Sequence, residues 1–90
     1  VRRDMALVVA NSVNSDALTA SLRNAAPAFV RAVEVFDVYR GAGLPEGKKS
    51  VAIRVLMQDT ERTLADNEIE GACQRMLENV QQQHGAALRA

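Results

Sequence analysis

The chain has 90 residues, 48% apolar and 24% charged, which is one small globular domain's worth of material. Eleven Lys and Arg balance eleven Asp and Glu, so bulk cationic attraction to a polyanion is expected to be weak. No apolar run approaches the ~18–20 residues needed to cross a bilayer, and Cys73 and His84 are too few soft ligands for a zinc site.

Met5 to Ala10 is a short apolar run, consistent with a strand buried on at least one side. Asn11 to Ser15 is turn and cap chemistry, with Asn14 or Ser15 opening a helix whose Leu18, Leu22 and Ala25 recur at helical spacing until Pro27. Val30 to Arg40 is β-branched and aromatic, which predicts a strand. Gly41, Gly43, Pro45 and Gly47 punctuate a loop, and Lys48 to Met57 returns as the partner strand. Ile69, Cys73, Met76, Leu77 and Val80 form a helical stripe that begins near Asp66 and ends at Gly85. Gly71 inside that helix costs about 1 kcal/mol relative to alanine. Ala87 to Arg89 is a last short strand. Strand, helix, strand, strand, helix, strand is the order of an α+β, ferredoxin-like split βαβ fold: a four-stranded antiparallel sheet with both helices on one face.

An uncovered sheet face is where function is expected. Strand residues alternate between faces, and pairing Tyr39 with Ser50 sets Asp37 opposite Ala52 and Val35 opposite Arg54. Val38 then pairs with Val51, and Phe36 with Ile53, on the helix-covered side. This register places Asp37, Tyr39, Ser50, Ala52 and Arg54 on the open face, joined by Arg2, Asp4, Ala6 and Val8 of the first strand. An aromatic ring beside a carboxylate and a hydroxyl, with small residues around it, suits stacking and reading of an unpaired base. The charge distribution agrees. Residues 30–58 carry five bases against three acids, whereas residues 59–80 carry six acids against two bases. With few cations to spare, the domain alone is expected to bind RNA poorly.

Other candidates are weaker. Gly41 to Ser50 fails as a phosphate-binding loop, because Ala42 stands where the first glycine is needed and a strand follows in place of a helix. Lys48 and Lys49 suit phosphate steering or solubility. Cys73 reads as a core thiol, and His84 as a partner for a helix C-terminal dipole. Nucleophile, base and orienting group cannot be assembled from these residues, so no catalytic residue is assigned.

Val1-Arg2-Arg3-Asp4, the block Phe36-Asp37-Val38-Tyr39-Arg40-Gly41, the link Gly43 to Ser50 and the segment Gln58 to Leu64 together resemble one family pattern. It is the C-terminal ferredoxin-fold anticodon-binding domain of the bacterial phenylalanyl-tRNA synthetase beta subunit, and the resemblance runs through essentially all 90 residues. It implies a parent enzyme that joins phenylalanine to its tRNA with ATP and magnesium, as a cytoplasmic heterotetramer of alpha and beta subunits. Aminoacylation would occur in the alpha subunit, with no cofactor in this domain. The resemblance assigns base stacking to Tyr39 and base contacts to Asp37 and Ser50. Arg2, Lys48, Lys49, Arg54 and Arg89 are expected at phosphates. The start at Val1, with a strand four residues on, is read as a fragment of a longer chain, expected to be monomeric in isolation. Ala65 departs from the family's threonine or serine at the start of the last helix, and Asn67 and Gly71 are also unusual there. Rival readings are an amino-acid-binding regulatory module, or a subunit-assembly domain that uses the open sheet as a protein interface.

Overall fold

The computed structural model describes residues 1–89. Its elements follow the expected order: β1 Arg2–Ala10, α1 Ser15–Ala25, β2 Val30–Tyr39, β3 Lys48–Met57, α2 Asp66–His84 and β4 Ala87–Leu88. The sheet order is β2-β3-β1-β4, and each neighbouring pair is antiparallel. The fold is therefore ferredoxin-like α+β. None of the described helices is long and apolar enough to cross a membrane.

Local chemistry explains the element ends. Asn14 sits in extended conformation, and its Oδ1 accepts from the Asp16 N–H at 2.7 Å, opening α1. Gly85, at φ 64°, closes α2 in the left-handed conformation that lacks a Cβ penalty, with its N–H donated to the Gln81 carbonyl at 3.0 Å. β1 begins at Arg2, three residues earlier than its apolar run, because the polar residues Arg2, Arg3 and Asp4 pair with Leu56, Val55 and Arg54 of β3. β4 is shorter than expected at two residues, although the Arg89 N–H still reaches the Ala6 carbonyl at 2.8 Å.

One sheet face is buried. Leu7 and Val9 of β1, with Val51, Ile53, Val55 and Met57 of β3, pack under Leu18 and Leu22 of α1 and Ile69, Met76 and Val80 of α2. Such close packing of aliphatic side chains supplies most of the stability of a small domain. Cys73, expected in the core, is only half-buried and packs against the core's edge, and its partial burial pushes the thiol pKa upward.

The register of β2 on β3 differs from simple alternation. Tyr39–Ser50, Val38–Val51 and Asp37–Ala52 pair as expected. A bulge then falls between Val35 and Asp37, so Val35 pairs with Ile53 and Glu34 with Arg54. The expected pairs Val35–Arg54 and Phe36–Ile53 are both overturned. Two residues, Phe36 and Asp37, occupy the space opposite Ala52, which turns Phe36 out to the open face and is the usual geometry of such an insertion. The gain is in the core: Val33 is buried and Val35 packs against it, where alternation had left both valines outside.

Candidate nucleic-acid interface

The face opposite the helices is built from three strands in rows. One row holds Tyr39, Ser50 and Val8; the next holds Asp37, Ala52 and Ala6; a third holds Glu34, Arg54 and Asp4. Ala52 and Ala6 make a flat floor between bulkier neighbours.

Tyr39, the last residue of β2, is 39% exposed. Its hydroxyl donates to the Ala42 carbonyl at 2.9 Å, which ties the phenol to the loop after the strand. The Arg89 guanidinium lies 5.2 Å from the ring centroid, a cation–π distance. The ring is thus on the uncovered face, with Asp37 exposed in the adjacent row. Ser50 lies between Val8 and Tyr39 and is only 4% exposed, so its hydroxyl is largely shielded from solvent.

The cations divide. Arg2 is exposed on the open face opposite Leu56, and Lys48 is half-buried there opposite Ala10. Arg54 pairs with Asp4 at 3.4 Å, in partial exposure where such a pair contributes little stability. Arg89 lies over the Tyr39 ring and makes no ion pair among the described residues. Lys49 departs most from expectation. It is 5% exposed and alternates with Lys48 to the helix-covered side, beside Val9, so the twin lysines lie on opposite faces of the sheet.

Phe36 is the residue that strand alternation missed. It is 49% exposed, and the Arg54 guanidinium lies 4.6 Å from its ring centroid. The signal was present in the sequence as Val33 and Val35, two large apolar residues left on the wrong face by an unbroken register.

A hollow of about 550 Å³ lies at the sheet edge between β1, β4 and α2, with Met5, Cys73, Leu77 and Leu88 in its walls. Arg3, Asp4, Glu70 and Arg89 also line it, so its charges are of both signs, and its walls hold no aromatic ring to serve as a platform.

Fold and site together define a ferredoxin-like domain with an open, aromatic-bearing sheet. The chain matches the family model described as "Ferredoxin-fold anticodon binding domain" over residues 1–89, and it belongs to that family. It is similar to the phenylalanine–tRNA ligase beta subunit of Thiobacillus denitrificans, at 50% identity over 100% of this chain and 12% of that protein. The same subunit from Neisseria gonorrhoeae is 47% identical over 100% of the chain and 11% of its own length. That from Geobacillus kaustophilus is 45% identical over 99% of the chain and 11% of its own length. The chain therefore spans roughly an eighth to a ninth of the length of these relatives.

Proposed function

We propose that this chain is the anticodon-gripping module of a phenylalanine–tRNA ligase beta subunit, and a part of a longer polypeptide. In this reading Tyr39 stacks on an unpaired anticodon base. Asp37 accepts hydrogen bonds from that base, as an ionised carboxylate only accepts, and Ser50 touches its edge. Arg2, Lys48 and Arg89 meet the phosphates, and Arg54, held by Asp4, adds positive charge beside them. The parent enzyme, working with its alpha subunit in the cytoplasm, charges phenylalanine tRNA using ATP and magnesium, and the chemistry takes place away from this domain.

The observation that carries the reading is the Tyr39 ring on the uncovered sheet face, one row from an exposed carboxylate and an alanine floor. Stacking demands a flat ring with open space beside it, and discrimination demands a directional polar group within the same span. Kinship with ligase beta subunits over the whole chain supports the choice of RNA.

The test is titration of the chain with a phenylalanine anticodon stem-loop. Tyr39→Ala is expected to lose roughly 1–3 kcal/mol of affinity, the usual value of one base–aromatic stack. Asp37→Asn is expected to weaken preference at the stacked position more than overall binding. Equal binding by Tyr39→Ala and the parent chain would refute the stacking role. Heat on titration with free phenylalanine, with no response to the stem-loop, would favour the amino-acid-binding module instead.

A further inference from the structure

We propose that Phe36, with Arg54 and the Ala6–Ala52 floor, is a second base platform, seating the nucleotide next to the one held by Tyr39. The proposal rests on the RNA-binding reading above and extends it.

Phe36 lies outside the buried core. It stands 49% exposed at a bulge, a device that re-aims a side chain at the expense of ladder regularity. Burial of Val33 and Val35 accounts for the bulge itself, but it does not account for a phenylalanine at the extra position, where any polar residue would be better solvated. What surrounds the ring gives it a use. Phe36, Asp4, Ala6 and Ala52 border a shallow hollow of about 260 Å³ on the open face. The small alanines leave room there for a flat group. The Arg54 guanidinium covers part of the ring at 4.6 Å and is held in place by Asp4. A guanidinium plane is itself a stacking surface for bases, and it brings positive charge to the neighbouring phosphate.

Spacing fixes which base. Tyr39 stands opposite Ser50 and Phe36 at the row of Ala52, two residues along β3. At about 3.4 Å per residue the two rows are about 7 Å apart. Successive bases stacked on one another would be about 3.4 Å apart. The two rings therefore suit neighbouring bases splayed from each other, the state in which proteins read single-stranded loops. Arg89 over Tyr39 and Arg54 over Phe36 repeat the same ring-and-guanidinium pair at both positions.

The experiment is NMR of the labelled chain with the phenylalanine anticodon stem-loop, with affinities from titration of the same pair. Cross-peaks are expected from the Tyr39 ring to one base and from the Phe36 ring to the adjacent base. Phe36→Leu should weaken binding roughly 5- to 150-fold, the span of one base–aromatic stack. It should also abolish the second set of contacts while keeping the first, and Phe36→Tyr should restore both. Because the ring is half exposed, amide spectra of the Leu variant should remain dispersed. Contacts at Tyr39 with none at Phe36, or unchanged affinity in Phe36→Leu, would overturn the second platform and leave the first intact. Absence of base contacts at both rings would overturn this proposal together with the RNA reading.

Discussion

At the level of single residues, the orientation of Tyr39 depends on the glycine two positions after it. The phenol hydroxyl donates to the Ala42 carbonyl, which is reachable because the chain turns at Gly41 with φ 142°. A Cβ on Gly41 would stand 3.3 Å from the Tyr39 hydroxyl oxygen, tighter than ordinary contact, in a backbone conformation that L residues rarely adopt. Gly43, at φ 90°, keeps the same loop close to Arg89, whose guanidinium is 3.9 Å from where its Cβ would be. Gly41→Ala is therefore expected to cost roughly 1–3 kcal/mol of stability, the usual range for a strained backbone conformation. It should also displace the phenol and reduce RNA affinity. Urea denaturation and the Tyr39 ring resonances check this. An Ala variant with the parent's midpoint and unshifted ring signals would mean that the loop does not hold the ring.

At the level of elements, the sequence was most legible where one rule acted alone. Stripe and terminating glycine sufficed to delimit α2, and strand alternation placed Tyr39, Asp37 and Ser50 on one face. It failed for Phe36 and Val35 because a bulge is decided by which side chains fill the core, and alternation within a single strand does not contain that competition. Lys49 failed for a related reason: its apolar stem can lie along the core side while Lys48 points out, and composition treats the two as equal. The start of α2 is a third case. Ala65 has no oxygen with which to cap the helix, as the sequence indicated, but the compensation was not visible there. The Glu68 carboxylate accepts from the Ala65 N–H at 3.2 Å and from two Arg62 nitrogens at 2.5 and 2.6 Å. The Arg62 hydrogen bonds, followed by the Ala65 N–H, hold the Glu68 carboxyl at about 2, below its ordinary 4.5. A carboxyl depressed in the folded state adds stability above the ordinary value, and this is lost as pH falls toward about 2. Acid unfolding of the parent chain and Glu68→Gln should therefore diverge above pH 4.5 and converge toward pH 2. A gap between them that is constant across that window would assign the residue a packing role only. Because both partners are solvent-exposed, raising salt should narrow the gap.

For the molecule as a whole, zero net charge and the proposed RNA-binding sheet are compatible because affinity is assigned to rings and directional contacts, with little left to counterion release. The open face carries Arg2, Lys48, Arg54 and Arg89, but also Asp4, Glu34 and Asp37, and Arg54 is already engaged by Asp4. That leaves Arg2, Lys48 and Arg89 as the cations able to meet phosphates without breaking an ion pair. For single-stranded RNA each such contact contributes about −0.7 to the slope of log affinity against log salt, so the slope should be about −2. Titrations of the stem-loop across a salt series measure it directly. The two adjacent lysines then separate the geometry from the composition. Lys48→Gln, on the open face, should make the slope shallower by about 0.7, while Lys49→Gln, with its stem buried beside Val9, should leave the slope unchanged even if stability falls. Equal slope changes from both would show that the lysine pair acts as a charge patch, independent of the alternation that separates them. A parent slope steeper than about −4 would shift the source of affinity from stacking to bulk attraction. In that case the two rings would lose their claim to be what holds the RNA.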